Sequence, residues 1–154
     1  MNKWKTIALG ALFLWVATIA LGAFMVTREV TTLDEDGRAV INFNEGEVAF
    51  TLAEMRGLLE TVHDIVLALD DDDMAGVVLA VEGKTVVDAM ANTPKSMLAK
   101  IPLEFRTLGM SMHGGFEEIG ATAAAEGANT AQIVTLLGDQ IGRCVACHAS
   151  YKLP

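Results

Sequence analysis

An uncharged run from Thr6 to Val26, 21 residues long, separates this chain into two parts built for different surroundings. About 20 helical residues cross the hydrocarbon core of a bilayer, so the run has the length of a spanning helix. Lys3 and Lys5 precede it, and Arg28 and Glu29 are the next charges. Cations on the short leading end predict an amino terminus in the cytoplasm and the remainder outside. A cleavable signal peptide is the competing reading, with Ala20-Leu21-Gly22 as a small-x-small cleavage site before Ala23. The run exceeds the usual signal core of about 7–15 residues, which favours an uncleaved anchor. Both readings make residues 1–30 an address or anchor and export the rest.

The exported part is strongly acidic. From Thr31 onward eight cations face nineteen acids, a net charge of −11. Nucleic acid is excluded as a partner, because a phosphate-binding surface needs a basic stripe and none is present. Such a surface repels acidic membranes and favours basic protein partners. With 52% hydrophobic residues the chain is not disordered, and its dominant Ala, Leu, Val, Gly and Met predict an all-α fold.

Residues 31–50 lack helical periodicity and read as a linker. A small hairpin is the alternative, with Asn44-Glu45-Gly46 between two apolar stretches. Residues 51–154 form the domain. Thr51-Leu52-Ala53-Glu54 has the form of a capping box, with Phe50 and Met55 placed as a hydrophobic staple. The stripe Leu52, Met55, Leu59, Val62, Val66, Leu69 then follows one helix face. The acids Asp70 to Asp73 end this helix and cap the next; a calcium loop needs spaced ligands instead. The second helix is expected over 73–92 and the third from about Pro102, with Phe105, Leu108, Met112, Phe116, Ile119 and Ala123 on one face. After a turn at Gly127 to Asn129 comes the fourth, Thr130 to Tyr151, with the stripe Val134, Leu137, Ile141, Cys144, His148. Four helices of about 20 residues with short connections predict an antiparallel up-down-up-down four-helix bundle behind the N-terminal hydrophobic helix.

One motif carries chemistry. Cys144-Val145-Ala146-Cys147-His148 is the c-type haem attachment sequence. On a helix, positions i, i+3 and i+4 share a face. Two sulfurs can therefore reach the two vinyl groups of one porphyrin while the imidazole reaches the iron as proximal ligand. A dithiol redox centre uses the same Cys-x-x-Cys, but at a helix amino terminus, where the dipole lowers the thiol pKa. Structural zinc wants a fourth protein ligand that the sequence does not offer. A plain disulfide leaves His148 without a role.

The motif stands near the carboxyl end, after four helical segments, and is followed by Ala149-Ser150-Tyr151-Lys152. This arrangement resembles the class II cytochromes c, the cytochrome c-prime group, whose last helix ends in Cys-x-x-Cys-His-x-x-aromatic-basic. The resemblance is specific over the final residues and architectural over the rest of 51–154. It implies one covalent haem c between the helices of a four-helix bundle, on the periplasmic side of a bacterial inner membrane. It further implies electron transfer or gas binding, a basic residue (Lys152) near the haem edge, and a homodimer paired through the first two helices. Catalysis is not expected, since no Ser/His/Asp or paired-carboxylate constellation stands out.

The residue facing the iron opposite His148 is open to several candidates. With level helix ends, His148 lies roughly 5 Å from the end of its helix and Met55 roughly 6 Å from the start of its own. His63 and His113 lie roughly 16–18 Å in, too deep by that measure. Met90, Met110 and Met112 sit near helix ends, and Leu59 is a candidate cover for an iron with no sixth ligand. Relatives carry a distal leucine or methionine four residues after an arginine, whereas Arg56 is followed by Glu60, so the ligand position does not carry over. Arg56 is a candidate partner for a haem propionate. Three functions follow: one-electron transfer with Met55 as axial ligand, toward a redox partner with a basic docking patch; gas binding or sensing at a five-coordinate iron; or a subunit of a larger membrane redox complex.

Overall fold

The computed structural model describes residues 3–27 and 31–154, with side chains from Met25 to Thr27 left aside. Arg28 and Glu29, the charges closing the apolar run, lie outside the described residues. The chain is mostly helical, with seven helices and one small sheet among the described residues. Helix α1 (Lys3–Thr27) leads. Within it, Lys3–Phe24 is long and apolar enough to cross a membrane, with a mean hydropathy of 2.3 and no part of it buried.

Strands β1 (Thr31–Leu33) and β2 (Ala39–Ile41) form an antiparallel hairpin, Thr31 opposite Ile41. Its turn is closed by the Gly37 amide on the Asp34 carbonyl, with Gly37 at φ +83°, a conformation that favours glycine. The turn is therefore Asp34 to Gly37, not Asn44-Glu45-Gly46. Asn44 instead caps helix α2 (Glu45–Asp70) through a reciprocal capping box with Glu47. The first domain helix thus starts six residues before Thr51. The Thr51 hydroxyl donates back to the Glu47 carbonyl inside the helix rather than capping it.

The expected second helix is broken. Asp73 accepts from the Gly76 amide and caps α3 (Met74–Ala80), as the acidic run foretells. The chain then turns through Gly83 at φ +71°, and a second capping box, Thr85 with Asp88, starts α4 (Val86–Asn92). One short turn, α5 (Lys95–Leu98), precedes α6 (Leu103–Ala123), which opens after Pro102. Asn129 and Gln132 form a third capping box at α7 (Thr130–Ser150). Strand β3 (Tyr151–Lys152) then runs parallel to β2.

Close packing runs from α2 to α3, from α3 to α6 and from α6 to α7, with α4 also against α6. Ala68 approaches Gly76 while Gly57 approaches Lys84, so α2 and the α3–α4 segment are antiparallel. Likewise Gly120 approaches Val81 and Gly114 approaches Val86. Among the described residues α2 and α7 do not join this set of closely packed pairs. Two apolar clusters result. The main one holds Leu58, Ile65, Leu69, Val77, Val81, Phe116, Ile119, Ile133 and Leu137. The smaller one places Ile41, Phe43 and Met97 under the sheet, with Phe105 edge-on to Tyr151 at 5.2 Å.

The predicted stripes are rotated relative to this core. On α2 the inward residues are Leu58, Thr61, Ile65 and Leu69, while Leu52, Leu59 and Val66 are exposed. On α7 Ile133, Leu137 and Gln140 are buried, and Val134 and Ile141 are exposed.

Candidate cofactor site

An apolar cavity of about 570 Å3 opens between α2, α6 and α7. That volume lies within the range of small-molecule and cofactor sites, roughly 300–1,000 Å3. Its wall explains the rotated stripes: Leu52, Met55, Leu59 and Val62 face it from α2, and Ile141, Cys144, Cys147 and His148 from α7. Part of each predicted stripe thus lines an open space, while Leu69, Ile119 and Leu137 of the same stripes are in the buried core. Phe105, Leu108, Met112 and Phe116 complete the wall from α6.

Both cysteines are free thiols, half-buried, one helical turn apart. Burial raises both thiol pKa values, and in Cys147 the neighbouring Cys144 adds to the effect. Uncharged thiols are the opposite of what an activated dithiol centre requires. Cys144 Sγ lies 4.0 Å from Met112 Sδ. No group of three or more His, Cys, Asp or Glu side chains arranged to hold a metal occurs among the described residues.

The end of α7 is held from outside the helix. Arg38 Nη1 donates to the His148 carbonyl at 3.4 Å, and Tyr151 N–H donates to the Cys147 carbonyl. Arg38 itself is gripped by Asp36, from Nε at 2.9 Å and Nη2 at 2.7 Å. Lys152 pairs with Asp34 and, at 3.6 Å, with Asp36. The Arg38 guanidinium holds the Asp36 carboxyl down to about 2, and Lys152 lowers that of Asp34. A recess of about 220 Å3 beside the main cavity is lined by Arg38, Met55, Cys147, His148, Tyr151 and Lys152. Residues 31–41 are thus part of the site's wall, which their reading as a linker misses; Asp36-Gly37 between short apolar runs is the signal for it.

The candidates for the position opposite His148 separate. Met55 lines both spaces with Cys147 and His148. It does so ten residues into α2 rather than near its start, so α2 extends past the end of α7. Arg56 is exposed and lines the main cavity, as do Leu59, Met110 and Met112. His113 also lines it, but is buried with Nδ1 3.0 Å from the Lys84 carbonyl oxygen. His63 and Met90 are exposed and stand away from the cavity.

The arrangement presents two neutral thiols and an imidazole, on one helix face, to an apolar cavity between three helices. In comparisons with known proteins, no family model, curated protein or solved structure matches this chain.

Proposed function

We propose that this chain is a membrane-tethered c-type cytochrome that transfers single electrons outside the cytoplasmic membrane. Its helical domain, α2, α3–α4, α6 and α7, is read as a four-helix bundle of the class II type holding one haem c. The observation that carries this reading is a convergence. Leu52, Leu59 and Ile141, apolar residues that the protein alone leaves exposed on α2 and α7, line the cavity into which Cys144, Cys147 and His148 open. Large exposed apolar surface marks a place that something else covers.

The residues present fit a haem. Cys144 and Cys147 would attach it through sulfur, and His148 and Met55 would hold its iron. Arg56, at the cavity wall, is placed to pair with a propionate. When bound, the haem supplies a reversible one-electron change at iron. The chain contributes the surroundings: Leu52, Leu59, Phe105, Leu108 and Ile141 exclude water, and a soft thioether from Met55 raises the potential. The acidic surface favours a redox partner with a basic patch, and a homodimer is the arrangement suggested by class II relatives. Gas binding at a five-coordinate iron is the second reading, supported by Leu59, an aliphatic cover on the cavity wall.

Expression with the c-type haem attachment machinery tests the assignment. The expected product is red and carries the mass of one haem. Cys144→Ser with Cys147→Ser is expected to lose the adduct. Colourless native protein of unmodified mass overturns the reading.

A further inference from the structure

The domain is electrically lopsided along its length, and the lopsidedness points away from the membrane helix. Gly57, Lys84, His113 and Gln140 lie in one cross-section. A Cβ on Gly57 would stand 3.2 Å from Lys84 Nζ. His113 Nδ1 is 3.0 Å from the Lys84 carbonyl, and Gln140 Nε2 donates to Met112 O at 2.9 Å. On the site side of this slice, residues 31–56, 85–113 and 140–154 carry eight acids and seven cations. On the other side, residues 57–84 and 114–139 carry eleven acids and Lys84 as the single cation. The site half is close to neutral, with net −1, and the far half carries net −10.

The tether enters at the neutral half. Three residues separate Thr27, the end of α1, from Thr31. Four Cα steps of about 3.8 Å reach at most ~15 Å. Thr31 is paired with Ile41, and Ile41 lines the recess shared by Cys147 and His148. The acidic tip at Asp70 to Asp73 stands some 13 residues of α2 beyond the slice, roughly 20 Å further out. Bringing that tip to an anionic headgroup layer sets like charges within a Debye length, about 10 Å at 0.1 M salt. Chain connection and charge therefore favour the same orientation.

We propose that the half of the domain carrying Cys144, Cys147 and His148 faces the lipid headgroups, while the acidic half projects away from the bilayer. The orientation rests on α1 remaining in place as an anchor. Joined to the redox reading above, it places electron exchange at the membrane surface, with the acidic half attracting a basic partner from a distance rather than forming the contact at the site.

The test uses the full chain in vesicles of phosphatidylcholine and phosphatidylglycerol in equal parts, with and without a headgroup-attached quencher. A fluorophore is carried on Ala99→Cys in the site half or Ala125→Cys in the far half, both exposed positions, with Cys144→Ser and Cys147→Ser added where the protein is colourless so that a single thiol is labelled. Quenching by the lipid is expected to be severalfold stronger at Ala99 than at Ala125. The difference is expected to shrink when Asp70 to Asp73 are changed to Asn, a residue that still caps α3. Equal quenching, the reverse order, or a chain recovered free of the vesicles without α1 overturns the proposal. The comparison with quencher-free vesicles removes any effect of haem, so a colourless protein sinks the cytochrome reading while leaving the orientation measurable.

Discussion

Arg38, in the hairpin, donates from Nη1 to the carbonyl of His148 at 3.4 Å, across 110 residues of sequence. Carbonyls in the last turn of a helix have no intrahelical donor, so such an external donor fixes where the helix ends. Asp36 holds the other guanidinium nitrogens, and the Lys152–Asp34 pair closes the same corner. The hairpin thereby orders the backbone that carries the proposed proximal ligand.

Arg38→Ala is therefore expected to speed amide exchange over residues 148–153 while leaving α6 unchanged. Hydrogen–deuterium exchange with mass spectrometry reads both regions at once. Uniform protection in the variant would show that sheet pairing alone suffices.

The same corner is expected to loosen in acid. Asp36 and Asp34 have folded-state pKa values below the usual carboxylate range, Asp36 at about 2. A depressed carboxyl contributes stability above its unfolded pKa, near 3.9, and loses it as pH falls through the folded value. The β2–β3 pairing should accordingly weaken between about pH 4 and pH 2. The Val40 and Lys152 amide shifts followed by NMR report it, and a midpoint near 4 for Asp36 contradicts the pairing described here.

Substitutions of core and cavity residues should differ in their dependence on haem. Ile65 is completely buried, and Ile65→Ala is expected to cost about 2–5 kcal/mol with or without haem. Leu59 is 69% exposed in the protein alone. Leu59→Ala is then expected to stay within about 0.5 kcal/mol of wild type in unloaded protein. In the loaded protein it should lose clearly more, since its methyl groups then have a partner. Denaturant titration of both forms checks the difference.

Gly120 on α6 faces Val81, the C-cap residue of α3, and an added Cβ would meet Val81 Cγ2 at 2.7 Å. Valine is stiff at χ1 and cannot swing away cheaply. Gly120→Ala is expected to destabilise the domain by roughly 1–3 kcal/mol despite the gain in helix propensity. Thermal unfolding measures it.

What the sequence reveals and hides follows from the same residues. Pro102 and Asn129 mark helix starts without competition, and both starts are found there. The start of α2 is missed because Asn44-x-x-Glu47 and Thr51-x-x-Glu54 satisfy the same pattern, and only burial of Glu47 against Lys100 distinguishes them. The break at Gly83 is marked by the polar stretch Glu82-Gly83-Lys84-Thr85 and by Thr85-x-x-Asp88, and the single helix expected over 73–92 runs through both signals. Periodicity finds Leu52, Met55, Leu59, Ile141 and Cys144 as apolar faces but cannot tell a face covered by protein from one that lines a cavity. Arg38 is invisible to local patterns, since its partner lies at the other end of the chain.

The remaining choice at the site concerns Met55. It stands beside Cys147 and His148 in both spaces, whereas His113 is already engaged with the Lys84 carbonyl. Met55→Ala is therefore expected to convert the optical and EPR spectra of the loaded protein from low spin to high spin. His113→Ala is expected to leave the spin state unchanged. The native ferrous protein should take up carbon monoxide slowly, and the Met55→Ala variant quickly. A high-spin native spectrum with fast uptake removes Met55 as ligand and moves the assignment from electron transfer to gas binding, with Leu59 over an open iron.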